Sequence, residues 1–436
     1  MPSDMPVFAV RYVGEILTYV LKLLNQRIHA LIHRHTYRSL PNPKHIVVIG
    51  GSFSGLYLAF RLSESVPSGY RVILIEQNSH FNYTFNFPRY SVVKGREQNA
   101  FVPYEGLFGK MPEGVFVQVR GRAVDIRFRD GDGSGSGEVV LEGGEKVEFE
   151  YLAIATGVTQ SPPAKLLSIE KEGACEELRV LQERIREAEG IAVVGAGAVG
   201  VQLAADVKTF WPEKKVTVVH SRERILSSFG ERLHEFVMGK LKDIGLEVVL
   251  GERPVLEKSG NWEPMELEFK DGSKREFNLV IPCTGQTPNT SILASFSPSS
   301  ISPLTQRILV NKKLQLLDGG EGKAGTSTAF LNIFALGDVA ETGGPKFARA
   351  GSAQAEIVRG NIVALIEKKG NNKLQDYVPS VLEGSLKLSL GKDEFVFYVQ
   401  DEKRDYMFPG KAKNIDLEVA KAWKMFDADM NNAAIV

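Results

Sequence analysis

Apolar positions along the chain follow three rhythms, and each predicts a different kind of element. Near the start, Val13, Leu17, Val20, Leu24, Ile28 and Leu31 recur at steps of four and three, widened by Ile16, Leu21 and Leu23. That spacing lays a continuous apolar stripe along one side of a helix. Opposite lie Glu15, Thr18, Lys22, Asn25 and His29, with Arg27 and Arg34 at the stripe's edge. The second rhythm is alternation. Val115-Val117-Val119, Val124-Ile126-Phe128, Val139-Leu141 and Val147-Phe149 read as strands, broken at GDGSGSG (131–137), a hairpin tip. The third is a set of short apolar runs: HIVVIG (45–50), RVILIE (71–76), YLAIATG (151–157), IAVVGAG (191–197), KVTVVH (215–220), FNLVIPCTG (277–285) and NIFALGD (332–338). LEVVL and MELEF add further strands, and a charged helical stretch runs over about 168–189.

Two of these runs enter glycine-rich turns and then helices. In the first, Gly50 allows the tight turn at the strand end and Gly55 lets the helix pack on the sheet. Ser52 stands where a glycine would let the backbone approach a diphosphate. The second has Gly195, Gly197 and Gly200 all in place. In both, a helix N-terminus offers free N–H groups and a positive dipole end to an anion. One such motif is weak evidence; two, each opening a βαβ unit, point to two nucleotide cofactors with electrons passing between them.

The residue at the end of the following strand separates the two sites. Glu76 closes the first, where a carboxylate would hold adenosine ribose hydroxyls. His220 closes the second, followed by Ser221, Arg222, Glu223 and Arg224. The two guanidinium groups would suit a 2′-phosphate, Glu223 would suit a ribose, and both are equally readable as solvated loop charges. NADH and NADPH are not separated at this level.

Composition narrows the class. With 436 residues the chain exceeds one ordinary domain, and 53 basic against 53 acidic residues leave no footprint for nucleic acid. Two cysteines, Cys175 and Cys283, are too far apart in sequence to suggest a disulfide framework or a Cys-based zinc site, and seven histidines show no ligand spacing. An intracellular, metal-independent protein is the expectation.

The order VVIGGSFSG, Glu76, ATG, the second glycine turn, TG-x-x-PN and ALGD resembles the two-dinucleotide-binding flavoproteins related to pyridine nucleotide-disulfide oxidoreductases. More narrowly it resembles the apoptosis-inducing-factor-like and ferroptosis-suppressor-like group, and more distantly the type II NADH dehydrogenases. The likeness runs from about Pro43 to Lys369. It implies an α/β fold with two Rossmann-like domains, the NAD(P)H domain (161–285) inserted in an FAD domain (43–160 and 286–370). An amphipathic helix (1–42) would precede them and a C-terminal α+β segment (371–436) would follow, covering the flavin's open face or pairing subunits.

Residue by residue, the resemblance implies that Gly50, Ser52, Gly55 and Glu76 bind the adenylate half of FAD, with Val124 beside the adenine. Thr156 and Gly157 would close over the phosphates, and Gly337-Asp338 would meet the ribityl chain. Gly195, Gly197 and Gly200 would take NAD(P)H, with Gly285, Pro288 and Asn289 on the same side; Arg222 is a candidate for the same cofactor from its place after the second strand, not from the resemblance. The helix from about Ala350 would aim its N-terminus at the flavin. Lys346 matches a family lysine near the flavin, the one candidate catalytic residue; its alternative is a surface loop charge. Arg89 lies in the segment that approaches the isoalloxazine ring, or is an ordinary surface arginine. Phe81, Tyr83, Phe85 and Phe87 would wall a pocket for a flat substrate, or fill a loop core. Ala353-Gln354 loosely resembles a pair on a quinone-facing helix.

No two cysteines lie a few residues apart, so the dithiol relay of disulfide reductases has no candidate, and Cys283 reads as a buried small residue. The expected activity is hydride transfer from NAD(P)H to FAD and then reduction of a quinone-like acceptor. The alternative is a redox-sensing or death-signalling flavoprotein whose partner binding follows NAD(P)H; slow reoxidation would mark it. The N-terminal helix has three readings: an interfacial membrane helix, a mitochondrial presequence, or a helix docked on the protein's own body. Because the chain begins Met1-Pro2, N-myristoylation, which requires Gly at position 2, is not expected.

Overall fold

The structure is a computed structural model that describes residues 4–128, 136–256, 262, 264–319, 328–368 and 373–435; most of the GDGSGSG tip lies outside them. The N-terminal periodicity becomes one helix, α1 (Asp4–Thr36). The first glycine turn joins β1 (Lys44–Ile49) to α2 (Phe53–Ser63), followed by β2 (Tyr70–Glu76) and β3 (Phe116–Arg120). Three antiparallel strands, β4 (Ala123–Phe128), β5 (Gly137–Leu141) and β6 (Lys146–Phe149), precede β7 (Tyr151–Ile154). Helix α3 (Lys171–Glu187) then leads into a second unit of β8 (Gly190–Val194), α4 (Ala198–Phe210), β9 (Lys215–Val219), α5 (Glu231–Asp243), β10 (Glu247–Val249) and β11 (Leu279–Pro282). The chain returns to the first sheet through β12 (Gln315–Asp318), β13 (Thr328–Ala335) and α6 (Ala348–Ile366). It closes with β14 (Leu386–Ser389), β15 (Glu394–Gln400), β16 (Asp405–Lys411) and α7 (Val419–Met425).

The first sheet has the order β12-β13-β7-β1-β2-β3, parallel except for β12. The second, β10-β9-β8-β11, is wholly parallel. In each, the strand that carries the glycine turn lies between two parallel neighbours. Ile49 stands opposite both Ile75 and Ile154, and Val194 opposite both Val219 and Pro282. The turn therefore opens at the carboxyl edge of its sheet, where doubly wound folds bind ligands.

Side chains on a strand alternate between faces, so β1 feeds two cores. Ile46 and Val48 pack with Leu58, Leu62, Val358 and Ile362 of α2 and α6. Val47 and Ile49 pack with Ile126, Leu141 and Phe149 of the antiparallel sheet. Burial on both faces explains why these strands read as unbroken apolar runs. The C-terminal segment splits its allegiance: Leu388, Val396 and Tyr398 join the core of the second sheet, and Trp423 and Phe426 that of the first.

Candidate functional site

Each glycine turn is dictated by backbone crowding. Gly50 has φ +101° and Gly195 φ +117°, a region that L side chains rarely adopt. A side chain at Gly55 would collide with the Gly50 carbonyl, and one at Gly200 with the Gly195 carbonyl, so neither helix could sit so close to its strand. Gly197, by contrast, faces open space. Ser52 occupies the N-cap position of α2 yet makes no side-chain capping bond, which leaves the first N–H groups of that helix for an anion.

The strand-end residues repeat one contact in the two units. Glu76 accepts from the Gly51 N–H, and its other oxygen accepts from the Asn78 backbone and side chain, each at 2.7 Å. His220 accepts from the Ala196 N–H through Nδ1 at 3.2 Å. The ring also hydrogen-bonds the Arg224 backbone. Burial, aided by the charge of Arg222, holds its pKa below the ordinary value. The imidazole thus braces the mouth of the second turn. The strand-end position alone revealed only that this site lacks an acid.

Around the first turn several predicted residues come together. Gly337 (φ +76°) and Gly351 both crowd Ser54 of α2. The Gly337 N–H donates to Gln354 Oε1 at 2.8 Å. Gln354 is buried and also bonds Thr342 and Tyr377, so it braces the 337–339 turn. Lys346 is half-buried and donates to the Ala340 carbonyl at 2.6 Å. Burial and the neighbouring Arg307 push its pKa down, while Asp338 and Glu341 oppose them. Val124 is 40% exposed on β4, leaving its backbone approachable.

Thr156 and Asn289 are bound reciprocally. Thr156 Oγ1 donates to the Asn289 carbonyl at 2.7 Å and Asn289 Nδ2 to the Thr156 carbonyl at 2.9 Å. Asn289, expected on the nicotinamide side, is thereby clamped to the Thr156-Gly157 turn of the first unit. Gly285 (φ +79°) has open space around it, and Arg222 bonds Ser227.

Lys165 was not visible as a site residue in the sequence. Its Nζ donates to the Val158 carbonyl at 2.5 Å, beside Gly157. Burial pulls its pKa down, while the carboxylates of Asp338 and Glu76 act on it in the opposite sense. A cation within electrostatic reach of both acids lies in the same crevice as the glycine turn.

Arg89 requires the clearest correction. It is fully buried, and its Nε and Nη2 face the equally buried Asp206 carboxylate of α4, each at 2.9 Å. Nη2 also donates to the Gly391 carbonyl at 2.8 Å. The guanidinium is neither a surface charge nor free for a flavin; it knits the first unit to the second and to the C-terminal strands. Of the aromatic run, Phe81 and Phe87 are core, whereas Phe85 is half-exposed and packs with Phe53 at 4.7 Å and Tyr83 at 5.5 Å.

These features fit two dinucleotides: backbone turns without side-chain cover, open helix N-termini, acids and a half-buried cation at the first, and a braced glycine turn at the second. Comparison with known proteins agrees. Residues 44–355 match the model of the pyridine nucleotide-disulphide oxidoreductases. Fe-regulated protein 8 of Mycosarcoma maydis is 32% identical over 368 residues, 81% of this chain and 88% of that protein. Human Ferroptosis suppressor protein 1 is 28% identical, over 87% of this chain and 95% of its own. The sulfide:quinone oxidoreductase of Aquifex aeolicus shares the fold, with a TM-score of 0.66 at 20% identity over 89% of this chain and 92% of that one. The chain thus belongs to the pyridine nucleotide-disulphide oxidoreductase family, enzymes that work with FAD and NAD(P)H.

Proposed function

We propose that the protein is an NAD(P)H:quinone-type oxidoreductase that works without a redox-active disulfide. FAD, when bound, would take hydride from NAD(P)H and pass electrons to a flat, quinone-like acceptor. The observation that carries this reading is the state of the two thiols. Cys175 is buried on α3 with its pKa pushed up to about 11, and burial pushes Cys283 to about 12. Both are free and stand on separate elements, α3 and the turn after β11, so a dithiol relay has no pair and the acceptor would meet the flavin directly.

The residues divide the work. Gly50, Ser52, Gly55, Glu76, Val124, Thr156, Gly157, Gly337 and Asp338 would hold FAD within 43–160 and 286–370. Gly195, Gly197, Gly200, His220, Arg222 and Gly285 would hold NAD(P)H within 161–285. Lys346 would place a positive end beside the flavin, helped by the N-terminus of α6. Phe53, Tyr83 and Phe85 offer an apolar wall for the acceptor. Residues 371–436 would hold the two units in register, and α1 would keep the enzyme at a lipid surface.

Anaerobic rapid mixing of the FAD-loaded protein with NADH or NADPH, then with a short-chain ubiquinone, tests this. Rapid bleaching and rapid quinone-driven recovery are expected, and Cys175→Ala/Cys283→Ala should change neither rate by more than about twofold. A reduced form that ignores quinone, or loss of recovery in the cysteine variant, would refute the proposal.

Lys165 gives a separate expectation. Lys165→Gln should raise the FAD dissociation constant by about tenfold or more, the worth of one charge-assisted hydrogen bond. Titration of apoprotein by flavin fluorescence measures it. Since the lysine's pKa lies below the ordinary 10.5, wild-type affinity should fall as pH rises through that lowered value, and the variant's should not.

A further inference from the structure

Helix α1 is held to the body along one side and at both ends. Asp4 pairs with Arg232 at 2.8 Å and Arg404 at 3.2 Å, and Tyr12 donates to Asp401 at 2.6 Å. Phe8 meets Tyr406 and Phe408, each at 5.4 Å. At the far end Ala30 is buried and His33 Nε2 bonds the Val66 carbonyl at 2.7 Å. Tyr12 and Ala30 are 18 residues apart, about five helical turns, and so mark one line along the helix.

The apolar stripe does not lie on that line. At about 100° per residue, Val13, Leu17, Val20, Leu24, Ile28 and Leu31 are rotated from it by roughly 80 to 160°. These six are between 45% and 58% exposed, and Val10 and Leu21, further round, are 81% and 65% exposed. A helix that merely covered its own protein would bury this stripe; here it uses an aromatic and polar side to dock and turns the stripe outward.

We infer that this outward face is a docking surface for an anionic lipid bilayer, with α1 lying in the interface plane. Charge selects that occupant. The helix contains Arg11, Lys22, Arg27 and Arg34 against the acids Asp4 and Glu15; Asp4 is already paired with Arg232 and Arg404, and Arg11 with Asp401. Arg27 and Arg34 flank one edge of the stripe, where long cationic side chains can reach lipid headgroups while the stripe enters the acyl boundary. A second copy of the chain would leave these cations without an anionic partner. Among the described residues no helix is long and apolar enough to cross a membrane, so α1 lies on the surface and does not span it. The surface gives access to a lipid-soluble acceptor only if the quinone reading holds, but docking itself does not depend on that reading.

The test is co-sedimentation of the full-length, FAD-loaded protein with phosphatidylcholine vesicles, with and without added phosphatidylserine, in low and high salt. Binding should favour the anionic vesicles and weaken in high salt. Leu17→Gln/Leu24→Gln/Ile28→Gln should lower the partition coefficient on the order of 100-fold. Its FAD content and its NAD(P)H-driven reduction rate should stay unchanged, showing an intact fold. Arg27→Gln/Arg34→Gln should remove most of the preference for phosphatidylserine. No binding by the wild type, or equal binding by the triple glutamine variant, overturns the inference. So does a dimer in sedimentation velocity that the same variant splits, because the stripe would then bind a second copy. Vesicle binding without quinone turnover would sink the proposed activity and leave the docking surface standing.

Discussion

Arg89→Ala is expected to lower the free energy of unfolding by about 3–5 kcal/mol, because it strands the fully buried Asp206 carboxylate without its partner. Arg89 also serves the Gly391 carbonyl and stacks 5.5 Å from the Phe210 ring, so the loss would be felt in the first unit, the second unit and the C-terminal strands together. Denaturant unfolding of the FAD-loaded protein measures the effect. Arg89→Met combined with Asp206→Leu removes both charges and should recover most of the stability, since two apolar side chains of similar size avoid the desolvation penalty. A flavin-contacting arginine would behave differently: FAD content would fall while the double variant rescued nothing.

Gly55→Ala and Gly200→Ala should separate the two cofactors. The added methyl group at residue 55 would meet the Gly50 carbonyl, and at residue 200 the Gly195 carbonyl. Each forces one helix away from one glycine turn, moving the N–H groups that would receive a diphosphate. Gly55→Ala is expected to yield protein that fails to retain FAD through gel filtration. Gly200→Ala should keep FAD but slow its reduction by NAD(P)H by about 100-fold or more at subsaturating nucleotide, seen in anaerobic rapid mixing. If Gly200→Ala lost FAD and kept its response to nucleotide, the assignment of the two turns would be reversed.

Much of this architecture is legible in the chain because it depends on local rules. A strand buried on both faces must be an unbroken apolar run, and a turn with φ near +100° calls for glycine, so both glycine-turn units stand out at Gly50 and Gly195. The helical stripe from Val13 to Leu31 is likewise fixed by spacing. What the chain alone leaves open is where a side chain ends up when its partner is distant in sequence. Arg89 meets Asp206 across 117 residues, and Asn289 is clamped to Thr156 across 133. Lys165 reaches the first crevice from a linker that contains no motif. The periodicity of α1 established that it has an apolar face; only the contacts of Phe8, Tyr12, Ala30 and His33 decided that this face points away from the protein. Periodicity and backbone conformation are properties of neighbours along the chain and are written in the sequence. The direction a face takes and the partner a charge finds are set by segments that meet only on folding, and the tertiary structure decides them.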